Sequence, residues 1–228
     1  MLLFFASLGN KGDSYVPVRV ACIGDSITED SGYPSKLQSK LGTGYMVRNF
    51  GVSGATVIAQ SGNPYANLYA SQDAKKFLPE IVVIMLGTND ARSIALPFLG
   101  NFAAEYKNLI SEFQGLTSKP EILLVEPPPI FANHLGLNNT ILVQDVIPRI
   151  EQVANESGLP TIDVYAALIN HPEYFLDGVH PNSKGAEVIA TEVNNGITLI
   201  NSTKAFAMKT TQTECNLNPM EIILRKQV

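Results

Sequence analysis

The sequence has no tryptophan, only two cysteines and no apolar run long enough to cross a membrane, and each scarcity excludes a class of protein. Cys22 and Cys215 are too few for a disulfide framework, and Cys22 lies in an apolar run, so we interpret it as a small core residue. No Cys/His pair has the spacing of zinc ligands, and the three histidines lie far apart in the chain. We therefore expect no metal site.

Charged residues are scarce too, at 16% of the chain, and their balance is slightly acidic, with a net charge of −5. No Lys/Arg cluster falls on a predicted helix, so a nucleic-acid partner is not expected. Apolar residues make up 45% of the 228 positions, which suits one soluble domain with a substantial core. The expected partner is a small molecule, and homo-oligomer formation stays open.

The two chain ends are the least informative stretches. Residues 1–16 are interpreted as an N-terminal extension, and its apolar start, Met1–Ser7, could be the remnant of a secretion signal. That start is short and lacks a basic region, so the protein could be cytoplasmic or secreted. Residues 201–228 are a C-terminal tail for which no structure is predicted, which leaves residues 17–200 as the folded domain.

Apolar runs and helical patterns alternate between these ends. Strands are predicted at 16–23, 45–50, 80–86, 121–125 and 161–165, and helices at 34–41, 70–78, from about 97 onward, at 140–156 and at 183–199. Phe98, Phe102, Leu109 and Phe113 fall on the apolar stripe of the third helix, and Pro148 should kink or restart the fourth. The alternation predicts a three-layer α/β/α sandwich around a central, mostly parallel five-stranded sheet.

A serine directly follows the first predicted strand. The apolar run ends at Gly24, and Gly24-Asp25-Ser26 turns the backbone toward the next helix. In open α/β sheets, ligands bind in the crevice at the carboxyl ends of the strands, so a hydroxyl there faces a ligand rather than the core. Gly-Asp-Ser is also ordinary turn chemistry, so this stretch alone does not decide between the two.

Three later stretches make this serine part of a pattern: Asn49–Gly54, Gly87–Asp90 and Asp177–Asn182. Together with Gly24–Ser26 they resemble the four blocks of the SGNH (GDSL-type) hydrolases, in that family's order, and the resemblance runs from about residue 17 to residue 199. The run Tyr33–Gln38 is most similar to carbohydrate O-acetylesterases of the sialate O-acetylesterase and acetylxylan esterase type. The resemblance implies a flavodoxin-like SGNH hydrolase fold.

Catalysis at Ser26 would need a base, because a free hydroxyl is a poor nucleophile at neutral pH. Of the three histidines, only His180 has a carboxylate, Asp177, three residues before it. That spacing lets one turn of backbone set the carboxylate against the ring nitrogen that faces away from Ser26. We therefore predict the catalytic triad Ser26, Asp177 and His180; the alternative for His180 is a buried core histidine.

The resemblance also implies an oxyanion hole made by the backbone N–H groups of Ser26 and Gly54 and the side-chain amide of Asn89. Each of these groups follows a predicted strand, although Gly54 could equally be a turn glycine. Asp25 and Asp90 are expected to organise turns by accepting hydrogen bonds from nearby backbone amides.

Several loop residues could rim the pocket, and each of them is interpreted as a solvated surface residue: Glu29, Tyr33, Tyr65, Arg92 and His134. The loops 55–69, 91–96 and 127–139 carry polar and aromatic side chains and no long aliphatic run. Such a lining favours a short acyl group on a sugar over a fatty chain.

The predicted function is a serine esterase that needs no cofactor, hydrolyses short-chain carboxylic esters and deacetylates O-acetylated carbohydrate. One alternative is a thioesterase or lysophospholipase with the same triad. Another is a non-catalytic carbohydrate-binding protein on the same fold, which is disfavoured because every catalytic position is filled. Neither a Gly-x-Ser-x-Gly elbow nor a Walker loop is present.

Overall fold

The computed structural model describes residues 16–215, and side chains as far as residue 203. Five strands form one sheet in the order β2-β1-β3-β4-β5, and all four pairings are parallel. The bounds of the strands are β1 Val18–Gly24, β2 Tyr45–Gly51, β3 Ile81–Met85, β4 Glu121–Glu126 and β5 Thr161–Asp163. Because Gly24 lies opposite Gly51, β1 and β2 end level and the loops that follow them leave the sheet side by side.

Burial explains which strands the sequence reveals most clearly. All residues of β3 and the last five residues of β1 are buried, and strands covered on both faces have continuous apolar sequences. β2 and β5 are the edge strands, and their residues are more exposed. The adjacent interior strands β1 and β3 end level with each other, so the segments after Gly24 and Met85 leave the same edge of the sheet side by side.

Helices cover both faces of the sheet. Apolar residues of α4 and α6, such as Tyr106 and Ile150, pack on one face, and residues of α2 and α8, such as Leu37 and Ile189, pack on the other. The predicted three-layer α/β/α sandwich is therefore confirmed. Within residues 16–215 the helices are α1 Ser26–Asp30, α2 Tyr33–Leu41, α3 Tyr69–Lys76, α4 Phe102–Gln114, α5 Asn139–Ile141, α6 Ile147–Ser157, α7 Val164–Leu168 and α8 Ser183–Cys215.

Pro148 restarts a helix instead of kinking one. One turn of π-helix, Leu142–Val146, separates α5 from α6, and Pro148 lies in the first turn of α6. A proline ring clashes with the carbonyl group four residues earlier and offers no N–H to it, and a wider turn relieves both constraints.

Two predicted elements have different bounds in the structure. Ser93–Asn101 is 3₁₀-helical and α4 begins only at Phe102, so the placement of Phe98 on the buried stripe is wrong, and Phe98 is 36% exposed. The fifth strand stops at Asp163, whose carboxylate accepts a hydrogen bond from the Ala166 amide at 2.7 Å and caps α7.

The last helix, α8, extends well beyond its predicted end near residue 199 and continues to Cys215. The first part of the predicted tail is therefore helical. Residues 1–15 and 216–228 lie outside the described residues, so the interpretation of the N-terminal extension stays a prediction. Within residues 16–215, no helix combines the length and the hydropathy needed to span a bilayer.

Candidate active site

The segment around Ser26 folds into a tight turn between β1 and α1. Asp25 caps α1 by accepting a hydrogen bond from the amide two residues later at 2.9 Å, and Ser26 is the first residue of the helix. A Cβ at position 24 would overlap the Thr28 hydroxyl and would lie 2.7 Å from the Met85 carbonyl oxygen, so Gly24 is needed for the helix to fold back this closely. The turn places Ser26 at the carboxyl edge of the sheet.

His180 is hydrogen-bonded to both of its predicted partners. Its Nε2 lies 2.9 Å from Ser26 Oγ, and its Nδ1 lies 2.7 Å from Asp177 Oδ2. The His180 side chain is 37% exposed, so it is not the buried core histidine of the alternative interpretation. The structure therefore brings the nucleophile candidate, the base candidate and its carboxylate into one hydrogen-bonded chain.

The loop that carries His180 is held in place at several points. Asp177 Oδ1 accepts hydrogen bonds from the backbone amides of Val179 at 3.0 Å and His180 at 2.8 Å. Gly178 has a φ of +84°, and its carbonyl accepts a hydrogen bond from the Phe131 amide at 2.7 Å. The loop after β4 therefore fixes the loop that orients the imidazole.

Asp177 is held in its charged form. Partial burial would raise the pKa of its carboxyl group, but hydrogen bonds from the His180 amide and ring and from the Val179 amide outweigh this effect and lower the pKa to about 2. A carboxylate that stays ionised can stabilise a positively charged imidazolium on His180 across the neutral range.

Three N–H groups could face a developing oxyanion. Among the described residues, no acceptor is bonded to the backbone amide of Ser26 or of Gly54, and Gly54 has a φ of +76° that glycine adopts readily. Asn89 is only 7% exposed, and its Nδ2 donates one hydrogen bond to the Ala55 carbonyl at 3.1 Å. An amide nitrogen carries two hydrogens, so this bond anchors Asn89 next to Gly54 and leaves a second donor.

Asp25 and Asp90 form the buried part of the site. Asp90 accepts hydrogen bonds from the Val57 and Ile58 amides at 2.9 and 3.0 Å, and this ties the Gly87–Asp90 block to the chain after Gly54. Burial raises the pKa of Asp25 to about 6 and that of Asp90 to about 7, although the amide hydrogen bonds oppose the shift. The carboxylate bonded to His180 is that of Asp177, whereas Asp90 holds backbone.

A cavity of about 210 Å³ opens beside the nucleophile. Pockets for drug-sized ligands have volumes of roughly 300–1,000 Å³, so this one suits a small group. Its lining combines the polar groups described above with a few aliphatic side chains: Ser26, Ser53, Gly54, Thr88, Asn89, Arg92, Leu135, Leu137, Val179 and His180.

Three of the residues proposed as solvated rim residues are placed differently by the structure. Arg92 lines the cavity. Tyr33 and Tyr65 are fully buried, and the Tyr65 hydroxyl donates a hydrogen bond to the Phe50 carbonyl at 2.7 Å. No local signal in the sequence distinguishes a residue at the rim of the pocket from a buried one. The exposure of such a side chain depends on which loop folds over it.

A second, larger cavity of about 540 Å³ lies next to the first. It shares Leu135 with the small cavity, and it is lined by Asp177 and by the exposed His134 and Leu176. Leu135 therefore forms part of the wall between the two cavities. Among the described residues, no group of three or more His, Cys, Asp or Glu side chains could hold a metal ion.

The fold is the α/β fold of the SGNH hydrolases. A family model described as the GDSL-like lipase/acylhydrolase family matches residues 22–188. The match covers more than half of the chain, so the chain belongs to this family.

Individual relatives agree with this assignment. An acetylxylan esterase of Xylanibacter ruminicola is 35% identical over 199 residues, and the alignment covers 76% of this chain but 42% of that protein, so the chain spans less than half of its relative. The crystal structure of an acetylxylan esterase from Geobacillus stearothermophilus has a TM-score of 0.61 and 25% identity, and the match covers 78% of this chain and 94% of that one. The crystal structure of a carbohydrate acetylesterase from Sinorhizobium meliloti has a TM-score of 0.63, and the match covers 80% of this chain and 99% of that one. Its sequence identity is 18%, so it supports the fold alone.

Proposed function

We propose that the protein is a serine esterase that removes acetyl groups from O-acetylated carbohydrate through a Ser26-His180-Asp177 triad. The observation that carries the proposal is the continuous hydrogen-bonded chain from Ser26 Oγ to His180 Nε2 at 2.9 Å and from His180 Nδ1 to Asp177 Oδ2 at 2.7 Å. An aligned nucleophile, base and orienting carboxylate are what acyl transfer by a serine requires.

In the acylation step, Ser26 Oγ attacks the ester carbonyl carbon while its proton moves to His180 Nε2. Asp177 keeps the imidazole in the correct tautomer and stabilises the imidazolium that forms. The tetrahedral intermediate collapses when His180 donates that proton to the leaving alcohol oxygen. The C–O bond of the ester breaks, and an acyl group remains on Ser26.

Deacylation repeats these steps with water as the nucleophile. His180 takes a proton from water, the resulting hydroxide attacks the acyl carbonyl, and the proton returns to Ser26 Oγ as the carboxylic acid leaves. Water is the single co-substrate, and Ser26 and His180 return to their starting protonation states.

The Ser26 and Gly54 amides and the Asn89 side chain stabilise the negative charge of both tetrahedral intermediates. They come from three different loops, and the bond between Asn89 and Ala55 ties two of these loops together. A fixed donor of this kind contributes roughly 3 to 4 kcal/mol to transition-state stabilisation.

The size of the small cavity and the nature of the relatives support acetyl as the acyl group. A cavity of about 210 Å³, whose aliphatic walls include Leu137 and Val179, suits a short acyl group better than a long one. Two of the relatives act on acetylated carbohydrate by name. The cavity of about 540 Å³ next to it has room for the sugar ring.

The experiment that tests the acyl specificity is a series of p-nitrophenyl esters from acetate to octanoate, with acetate release from acetylated xylo-oligosaccharides measured in parallel. We expect kcat/KM to be highest for acetate and to fall by about ten-fold or more by octanoate, because a cavity of about 210 Å³ offers limited room for a long acyl chain. Leu135→Ala, which removes part of the wall to the larger cavity, should flatten this decline.

Rates that rise toward octanoate would contradict acetyl specificity and support the thioesterase or lysophospholipase alternative. Acetate preference without release from any acetylated sugar would retain the esterase and remove carbohydrate as its substrate.

A further inference from the structure

Arg92 lies on the wall of the candidate active site, and its guanidinium group has no partner among the described residues. It lines the same small cavity as Ser26 and His180. Its Nε is shielded from solvent and has no hydrogen-bond partner among the described residues. A buried N–H group that is not hydrogen-bonded is costly, so such an arrangement in a binding cavity indicates that a ligand supplies the acceptor.

The other three arginines within residues 16–203 are all engaged. Arg19 pairs with Glu80, and Arg149 pairs with Asp145 and also donates a hydrogen bond to a backbone carbonyl. The guanidinium of Arg48 lies over an aromatic ring, 4.7 Å from its centre. Arg92 alone among them has no ion pair, hydrogen bond or ring contact.

The carboxylates of the active site are committed elsewhere. Asp177 is bonded to His180, Asp90 to the Val57 and Ile58 amides, and Asp25 to the amide that it caps. None of them neutralises Arg92. The cavity therefore holds an uncompensated positive charge in a protein whose net charge is −5.

The backbone at Arg92 is held by hydrogen bonds, so the start of this side chain is anchored beside the cavity. The carbonyl of Ala91 accepts a hydrogen bond from the Asn138 amide at 2.9 Å, and the carbonyl of Arg92 accepts one from Ala95 at the same distance. Arg92 also follows Asn89 by only three residues, so one loop carries both the oxyanion donor and the arginine.

We propose that Arg92 binds an anionic substituent, a carboxylate or a phosphate, on the sugar whose ester is cleaved. The inference rests on the proposed function and narrows its substrate to acidic carbohydrate. A guanidinium presents a planar fork of N–H donors that matches both anions, and its hydrogen bonds to them are charge-assisted. A protein with a net charge of −5 does not attract an anionic substrate over its whole surface. A local cation therefore has to provide the selectivity for the anion.

The test uses three methyl glycosides that carry one acetyl ester at the same hydroxyl: a glucoside, a glucuronoside and a glucoside 6-phosphate. Binding of each to the Ser26→Ala protein is measured by NMR titration, which does not depend on turnover. We expect one of the two anionic compounds to bind about 10- to 100-fold more tightly than the glucoside. Which of the two it is identifies the anion.

Two further variants are made in the Ser26→Ala background. Arg92→Gln should bring the ratio of affinities close to one, and Arg92→Lys should keep part of the preference because it retains the charge but not the planar fork. Arg48→Gln is the matched control, since it removes the same charge from a residue that does not line the cavity, and it should keep the full ratio.

Equal affinity for all three compounds, or an unchanged ratio in Arg92→Gln, would overturn the role of Arg92. Acetate release by the unmodified protein is followed with the same compounds. A binding preference without release would contradict the proposed esterase function while supporting the anion site, whereas release without a preference would contradict the anion site alone.

Discussion

The active site contains carboxylates of two opposite kinds. Asp177 lies in an exposed loop with 45% of its side chain accessible, whereas Asp25 and Asp90 are 1% and 0% exposed. All three accept hydrogen bonds from backbone amides. Their pKa values nevertheless diverge, to about 2 for Asp177 and to about 6 and 7 for Asp25 and Asp90.

The balance between burial and hydrogen bonding separates the two kinds: three donors outweigh partial burial at Asp177, whereas burial outweighs the amide hydrogen bonds at Asp25 and Asp90. A carboxylate that orients a catalytic histidine must stay charged, and at the surface water and three hydrogen-bond donors stabilise its charge. A carboxylate that fixes the Val57–Ile58 backbone can be buried, because its task is to accept hydrogen bonds rather than to carry charge. We expect the first kind to govern rate and the second kind to govern stability.

The largest effect that separates the two kinds is expected for Asp177→Asn. The neutral amide keeps the size of the side chain but cannot stabilise an imidazolium and favours the wrong tautomer of His180, so kcat should fall by about 10³- to 10⁴-fold. The melting temperature should change little, because solvent screens the exposed charge and the amide oxygen can still accept the two backbone hydrogen bonds. Steady-state kinetics and thermal unfolding measure both, and a kcat within about ten-fold of the unmodified protein would show that Asp177 does not orient the base.

Asn89 tests whether burial alone assigns a residue to stability. It is buried like Asp90, but its replacement should affect the rate as that of Asp177 does. Asn89→Ala removes an oxyanion donor that acts mainly in the transition state, so kcat should fall by about 10²- to 10³-fold with little change in KM. Steady-state kinetics with p-nitrophenyl acetate separate the two constants. A raised KM with unchanged kcat would make Asn89 a substrate-binding residue instead.

The smallest effect concerns stability and pH, through Asp90. Its pKa is raised in the folded protein from 3.8 to about 7, so the folded state binds this proton more tightly than the unfolded chain does. The stability that Asp90 contributes is therefore fully present below about pH 4 and is lost as the pH rises toward 7. Since one pKa unit corresponds to about 1.4 kcal/mol, the free energy of unfolding should fall by a few kcal/mol over this range.

Urea unfolding at several pH values between 4 and 8 measures this change, and Asp90→Asn should remove most of it. Asp177→Asn is the control, and it should leave the fall in stability between pH 4 and 7 unchanged. The pKa of Asp177 is lowered to about 2, so its contribution is present above about pH 4 and is lost only in stronger acid. If the loss of stability between pH 4 and 7 persists in Asp90→Asn, another buried group is responsible for that loss.

The parts of the molecule that the sequence predicts best are those marked by a local pattern. β3 is a run of five buried apolar residues, and it is recognisable because a central parallel strand needs no polar face. The proximity of Asp177 and His180 follows from their spacing within one turn. Their hydrogen bond to Ser26 joins residues 154 positions apart, and it was predictable only because four sequence blocks together indicate the edge of one sheet.

Other features depend on contacts that no local pattern records. Arg92 and Tyr65 both lie in polar loops, yet the structure places one in the cavity and the other fully in the core. The strand predicted at 161–165 ends early because Asp163 caps a helix, and a capping aspartate looks like any strand-end polar residue until the helix is seen. For Arg92 and Tyr65 long-range packing decides the placement, whereas the strand end at Asp163 is decided by a local cap.

The measurement that tests the catalytic triad most directly is the kcat of Ser26→Ala, His180→Ala and the double variant, each checked for folding by circular dichroism. If Ser26 attacks and His180 takes its proton, each single change removes the same step and should lower kcat by about 10⁴-fold or more, and the double variant should be scarcely slower than the worse of the two. Losses that multiply in the double variant, or substantial turnover that survives in Ser26→Ala, would contradict a shared nucleophile and base at this site.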